Sequence, residues 1–430
     1  MSVGERITAL TDQLGDVDGE WQAAFHAVPR HLFIPDRAWC DPDDGPGFLI
    51  DRTADPETWL NVAYSNTAIV TQLDDGATDL DQGLGDYTSS ASAPGVIAAG
   101  LRLLDPYDGD EVLEIGTGTG WTAGLLASRL GDENVTSMEI DQTLLTTATE
   151  QLKKARLSPR LILGDGAKGW PEGAPYDRVH VTCGVREVPY AWVEQTRPGG
   201  VIVAPWMPPW EGGHLVKLVV VGDGTAVGKF HSGVDFMLLR AQRRRRTQIE
   251  DVYRKSTTYL DPRRVVRSSA GAEVAIAGML PDLYGTHENQ EGGEFHLSLW
   301  SDDSDAQVHY APDYKGVAVL QRGPRNLWDG LEAAYLRWVS WGTPHKDRFG
   351  MTVTPDGQHI WLDSPDHRII HPYSKGDGAE VTGGLGEVPD QGGLGGGAPD
   401  ERPAGQGGVA DGHVDVVRPG VVADGVCETR

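Results

Sequence analysis

The run Glu111-Val112-Leu113-Glu114-Ile115-Gly116-Thr117-Gly118-Thr119-Gly120-Trp121 constrains this chain more than any other stretch. Val112 to Ile115 is a short apolar run of the buried-strand kind. A glycine-rich turn follows it, and Thr122 to Leu130 continues with helical spacing. Strand, glycine turn and helix form the first unit of a nucleotide-binding α/β sheet. Gly116 and Gly118 let the backbone turn sharply and approach a ligand closely. Amides at the helix start can meet a polar or anionic group. A second strand, Val135 to Asp141, ends in acids about twenty residues later, where an acid can accept both hydroxyls of a ribose.

The spacing of the glycines bears on which cofactor is bound. A pyrophosphate lying against a helix N-terminus calls for G-x-G-x-x-G. Here the pattern is G-x-G-x-G, and Glu114 sits just ahead of it. An anion beside the glycines repels phosphate and suits a cation. S-adenosylmethionine carries an ammonium and a sulfonium, so a methyl donor is expected rather than NAD. A glycine loop that merely turns the chain is the simpler alternative. Glu114 and the acidic end of the second strand weigh against it.

At 430 residues, two domains are expected. The formal net charge of -26 argues against a general nucleic-acid binder, which needs a basic face. It suits a soluble protein that handles a neutral or basic peptide. Cys40, Cys183 and Cys427 fit neither a zinc site nor a disulfide framework, so a reducing compartment and no metal are expected. The N-terminus lacks an apolar core of signal type, and no apolar run is long enough to cross a membrane. A cytoplasmic location is the corresponding expectation.

Along the chain, Val3 to about Val28 carries apolar residues at helical spacing. The prolines of Val28-Pro29-Arg30-His31-Leu32-Phe33-Ile34-Pro35 predict a short extended segment against a core. Arg30 is a candidate contact for a substrate carboxylate, with a plain surface charge as the alternative. Asp74 to Tyr87 is acidic and unpatterned, a predicted loop. Thr88-Ser89-Ser90-Ala91-Ser92 then crowds four hydroxyls ahead of a helix over Val96 to Leu104. Helix capping would use one of them. The surplus is what a site would need to hold a polar substrate group.

The α/β alternation continues through a helix at Leu144 to Leu157 and a strand at Leu161 to Leu163. Asp165, in Gly164-Asp165-Gly166, is placed to accept from an adenine amino group, or else simply makes a turn. Tyr176 to Cys183 alternates as a further strand. His180 and Cys183 are read as packing residues, since nothing near Cys183 marks a low thiol pKa. Val201 to Pro205 and Leu215 to Val221 are further strands. Arg243 to Arg246 is either a solvated face or a grip for an acidic peptide at a domain edge. Asp251 to Tyr373 is a second unit with strands at Phe295 to Trp300 and His359 to Leu362 and an amphipathic helix from Leu327 to Trp338. Residues 375–430 are rich in Gly, Pro and Asp and are expected to be disordered.

Four stretches, in order, resemble the protein-L-isoaspartyl O-methyltransferase family. They are Ala27 to Pro35, Val112 to Trp121, Val135 to Asp141, and Gly164-Asp165-Gly166 continuing through Gly169-Trp170-Pro171 to Arg178. The resemblance spans roughly Trp21 to Arg240. It implies a Rossmann-like class I S-adenosylmethionine methyltransferase domain at 1–245. An additional α+β substrate-recognition domain at 251–373 and the tail complete the expected α/β architecture. Glu114, Gly116, Glu139, Asp165 and Gly166 match the family's cofactor positions, and Ser89, Thr117, Gly118 and Ile140 complete the expected set. The family's Gln-Thr-Ile-Ser-x-Pro motif, which holds the substrate carboxylate, falls on Ser89 to Pro94. Ser92 and Ser90 are thereby the expected catalytic pair, with Arg30 and Thr182 also on the substrate side.

The chain departs from the family where Gln-Thr-Ile becomes Ser89-Ser90-Ala91, and family members normally lack a counterpart of residues 251–373. In these respects it resembles an actinobacterial branch encoded beside ribosomally made peptides, whose members methylate a normal aspartate that then closes to an aspartimide. Such a methyltransferase needs no general base, because its carboxylate substrate is already ionised at neutral pH. Two alternatives stand beside this reading: repair of isoaspartate in damaged proteins, and a non-catalytic peptide-binding protein that keeps the fold. An NAD dehydrogenase is disfavoured by Glu114.

Overall fold

The computed structural model describes residues 1–15, 17–42, 45–243 and 252–370. Helices α1 (Val3–Gln13) and α2 (Gly19–Ala27) begin the chain. Ser2 and Glu5 form a reciprocal capping box on α1, and Asp18 caps α2. Strands β1 (Arg37–Asp41), β2 (Phe48–Asp51), β3 (Ala68–Leu73) and β4 (Tyr87–Ala91) make a four-stranded antiparallel sheet in the order β2-β1-β3-β4. Helix α3 (Pro56–Ala63) joins β2 to β3, and α4 (Pro94–Leu104) follows β4.

The α/β alternation comes next. Its elements are β5 (Val112–Ile115), α5 (Trp121–Leu130), β6 (Val135–Glu139), α6 (Gln142–Lys154) and β7 (Arg160–Leu163). Then come β8 (Tyr176–Val181), α7 (Tyr190–Glu194), β9 (Thr196–Trp206), β10 (Gly213–Val220) and β11 (Ala226–Val234). Beyond them lie β12 (Arg254–Thr258), α8 (Pro262–Val266), α9 (Ala270–Met279), β13 (Tyr284–Asn289), β14 (Phe295–Trp300) and β15 (Asp305–Tyr310). The last elements are β16 (Val317–Arg322), α10 (Leu327–Ser340), β17 (Phe349–Thr354) and β18 (Gly357–Leu362).

A nine-stranded sheet in the order β18-β17-β11-β10-β9-β8-β5-β6-β7 organises these elements. Strands β7, β6, β5, β8 and β9 are parallel, and β10, β11, β17 and β18 extend the sheet antiparallel. After β7 the chain returns to the other side of β5. That reversal opens a crevice at the carboxyl ends of the strands, where ligands bind in open α/β sheets.

Alternation along the strands divides the core. Val112, Val201, Val203 and Leu215 face the cluster formed with α1, α2, the four-stranded sheet, α4 and α5. Leu113, Ile202, Ala204 and Val216 face a cluster that continues into α9, α10 and β14 to β16. The elements after residue 252 therefore share a core and a sheet with those before it. Their own five-stranded sheet runs β12-β16-β15-β14-β13.

Several local expectations change in the structure. Arg30–Phe33 is a 3-10 turn, not an extended segment. The acidic loop contains 3-10 turns at Asp74–Gly76 and Leu80–Gln82. Tyr87 to Ala91 is a strand, so Thr88, Ser89 and Ser90 stand on β4, Ser92 follows it, and none of them is the N-cap of α4. Helix α4 begins from Ala93 with no side-chain cap, and Asn66 Oδ1 accepts the Gly95 amide at 2.7 Å. Arg244 to Arg246 and the tail from 375 lie outside the described residues. Among the described residues no helix is long and apolar enough to cross a membrane.

Candidate active site

Tight backbone contacts explain the glycines at the end of β5. Gly116 and Gly118 have φ of 98° and 53°, values that favour glycine. A Cβ on Gly116 would stand 2.8 Å from Thr182 Oγ1. Thr182 donates to the carbonyls of Ile115 (3.0 Å) and Gly116 (2.5 Å), which ties the end of β8 to the turn. Its hydroxyl proton is directed to the turn in this structure.

Glu114 does not line the crevice as an exposed anion. It is fully buried, and burial pushes its pKa up to about 8. Its Oε2 accepts from Ser137 Oγ, whose hydroxyl also pairs with Thr117 Oγ1 at 2.6 Å. Its Oε1 is buried without a hydrogen-bond partner. An orphaned carboxylate oxygen beneath a glycine turn matches a cationic ligand group, since a nearby positive charge would favour its ionised form.

Glu139, at the end of β6, accepts from the Gly118 amide at 2.9 Å through Oε2, and from Ile140 and Asp141 amides at 2.9 and 3.0 Å through Oε1. Ile140 is 42% exposed although apolar, and it stands immediately after this acid. Asp165 Oδ1 caps the short turn Gly166–Lys168 by accepting the Ala167 amide at 3.1 Å. Gly166 packs so closely on β5 that a Cβ would lie 2.6 Å from Ile115 Cγ2, and its carbonyl accepts Trp192 Nε1 at 2.8 Å. Orphaned Glu114 Oε1, the bare glycine turn, Glu139 and exposed Ile140 together fit S-adenosylmethionine, with its cationic, ribose and adenine parts.

Strand β4 comes over this turn. A Cβ on Gly118 would lie 3.7 Å from the Ser90 carbonyl and 4.0 Å from Ser89 Oγ. Ser89 is buried, and its Oγ accepts from Thr71 Oγ1 at 3.0 Å. Ser90, on β4, and Ser92, just after its end, are both half-buried. The structure thus brings the serine run and the glycine turn together, which neither segment indicates alone.

Arg30 is elsewhere. Its side chain is 1% exposed, and its guanidinium donates to the carbonyls of Ala63, Ser65, Thr67, Ala91 and Ser92 at 2.9–3.2 Å. The Trp121 ring covers it at 5.4 Å. Burial excludes a surface charge, and both Nη groups are committed to backbone carbonyls, including that of Ser92. His180 is buried with its pKa pushed down to about 4, and the Cys183 thiol is pushed up to about 12 by burial and then by Glu139. Neither is suited to act as a base or nucleophile at neutral pH.

The sequence reading missed Arg240. It bridges Asp141 (3.0 Å) at the end of β6 and Asp75 (3.0 Å) in the acidic loop, and Arg243 also pairs with Asp75 at 3.0 Å. The available signal was opposite charge on two distant segments, the acidic loop and the start of the arginine run. Also at the rim, Arg186, after β8, lies 4.9 Å from the Tyr284 ring of β13, and Gln358 of β18 donates to the Arg186 carbonyl at 2.6 Å.

Comparison with known proteins adds to this geometry. Residues 57–244 match the family model described as protein-L-isoaspartate(D-aspartate) O-methyltransferase. The chain is similar to a protein-L-isoaspartate O-methyltransferase of Thermococcus onnurineus, with 39% identity over 156 residues, 34% of this chain and 68% of the relative. It is 32% identical over 248 residues to one from Methylibium petroleiphilum, covering 56% of this chain and 77% of the relative. A solved protein-L-isoaspartate O-methyltransferase superposes over 84% of this chain and all of its own, at 21% identity and a TM-score of 0.49.

Proposed function

The chain belongs to the protein-L-isoaspartate O-methyltransferase family, and on that premise we propose that it methylates the free carboxylate of isoaspartate in a peptide or protein. It is an S-adenosylmethionine-dependent carboxyl O-methyltransferase of Rossmann-like α/β fold. The observation that carries the site reading is the approach of the Ser89–Ser90 segment to Gly118, which sets a carboxylate-holding motif beside the cofactor turn.

S-adenosylmethionine supplies an electrophilic methyl on a sulfonium. In this reading Glu114, Glu139 and the amides of the glycine turn hold it, and Ile140 offers an apolar surface to its base. Ser90 and Ser92 orient the substrate carboxylate by charge-assisted hydrogen bonds and take no proton from it. One carboxylate oxygen forms the new bond to carbon, and the electron pair of the breaking bond stays on sulfur. Charge is cancelled as the two meet, so the protein's work is alignment and exclusion of water. The ester is then open to attack by the next backbone nitrogen, with loss of methanol and closure to a succinimide.

A second reading, methylation of a normal aspartate in a ribosomally made peptide with closure to aspartimide, is favoured by Ser89-Ser90-Ala91 standing where the family's motif has Gln-Thr-Ile. Residues 252–362 lie beyond the matched segment 57–244, and β13 meets Arg186. In that reading this unit grips the peptide, and remote binding energy is spent on alignment. Incubation with labelled methyl donor and matched isoaspartyl and aspartyl peptides tests both. Label on the isoaspartyl peptide alone supports the first reading. Label on an aspartyl peptide, followed by a product one water lighter, supports the second. Ser92→Ala should cut kcat with little change in peptide affinity, and Ser92→Thr should restore it. Full kcat in Ser92→Ala removes Ser92 from the site.

A further inference from the structure

We propose that Glu294, His296 and His309 form a binding site for a borderline divalent cation such as Zn2+ on the open face of the C-terminal five-stranded sheet. The sequence reading expected no metal, because it weighed only cysteine spacing.

The residues meet through strand register. Phe295, Leu297 and Leu299 of β14 are buried in the core shared with α10, so His296, Ser298 and Trp300 point to the other face. His296 is the register partner of His309 on β15, which sets both imidazoles on that face with ring centroids 4.1 Å apart. The turn between β13 and β14 closes with the Gln290 amide on the Glu294 carbonyl, and Glu294 Oε2 lies 3.1 Å from His309 Nε2. One donor atom from each of the three residues lies within 4.8 Å of the others. Nitrogen and oxygen ligands of tetrahedral zinc lie about 2.0–2.2 Å from the metal, and therefore about 3.4 Å from one another. Glu288, opposite His296 on β13, stands on the same row and offers a further carboxylate.

A hydrogen bond between His309 and Glu294 accounts for two of the three groups. It gives no reason for a second imidazole stacked against the first. Two protonated imidazoles at this distance repel, whereas two neutral ones can each offer a ring nitrogen to a cation at this edge of the sheet. Two imidazoles and a carboxylate select zinc, cobalt, nickel or copper over calcium and magnesium, which take oxygen ligands. The site lies outside residues 57–244, so the methyl-transfer machinery does not account for it. A bound ion would fasten the β13–β14 turn to β15.

The test is calorimetric titration of zinc chloride into the full-length, chelator-treated protein. The expected result is a saturable one-to-one site at micromolar zinc. His296→Ala and His309→Ala should each weaken it by at least about tenfold. His287→Ala, on the neighbouring strand, should leave it unchanged. Cobalt should give a visible ligand-field band that both ligand variants lose. Melting without metal confirms that the variants are folded, and zinc should raise the melting temperature of the wild type and of His287→Ala more than that of either ligand variant. Absence of saturable binding at micromolar zinc, wild-type affinity in His296→Ala or His309→Ala, or an equal loss in His287→Ala overturns the proposal.

Discussion

The Glu139 carboxylate accepts the Gly118 amide at 2.9 Å, so the acid that ends β6 also fastens the glycine turn that follows β5. Its second oxygen takes the amides of Ile140 and Asp141. The two halves of the cofactor site are thus one hydrogen-bonded object.

Replacing Glu139 by alanine should therefore act twice. Cofactor affinity should fall by about 1.5–3 kcal/mol for each bond to the charged group that is lost. The melting temperature should fall as well, because three backbone amides lose their acceptor. Calorimetry with S-adenosylmethionine reads the first effect and thermal melting the second. Undiminished affinity would take Glu139 out of the site.

Arg30 should behave as a structural residue. Arg30→Met leaves five carbonyls without their donor, and an unsatisfied buried acceptor costs about 1–3 kcal/mol. The expected outcome is a large loss of stability in denaturant, far beyond any change in KM of the folded fraction. A variant with wild-type stability and a raised KM would return Arg30 to the substrate.

Glu114 should give the protein a distinctive pH dependence. The unfolded carboxyl releases its proton near 4.5, and the folded one keeps it up to about 8. Between those values the native state binds the extra proton, so this group makes stability fall as pH rises. Glu114→Gln should flatten that slope in denaturant titrations from mildly acid to neutral pH. Binding of the cationic methyl donor near neutral pH should release a proton. Calorimetry in buffers of different ionisation enthalpy should detect that release in wild type and not in Glu114→Gln. Identical buffer dependence in the two proteins would count against a role for this carboxyl.

Truncation after residue 243 should not yield a well-folded methyltransferase. It removes β17 and β18 and exposes the edge of β11, whose residues Ala226 to Lys229 pair with Gly350 to Val353. It also removes α9 and α10 from the core shared with Ile202 and Val216. The expected product is aggregated or melts far below the full chain. A truncated protein that melts within a few degrees of it would show that the shared core contributes little.

What the sequence determined by itself was local and periodic. The apolar run at Val112–Ile115, the glycines after it and the acids ending β6 state strand, turn and acidic strand end within one short stretch. Alternation at Phe295–Trp300 and the helical stripe from Leu327 were equally plain, because period two and period 3.6 are written in neighbouring residues. The tertiary structure decided whatever depended on contacts between distant segments. Arg30 reads as a surface or substrate charge until five carbonyls lying 33 to 62 residues further along the chain close around it. Glu114 reads as a charge facing the cofactor until burial holds its proton. Arg240 and Asp75, His296 and His309, and β11 and β17 are each partners only through folding. Charge state, burial and register are properties of a side chain's surroundings, and those surroundings come from parts of the chain that no local pattern connects.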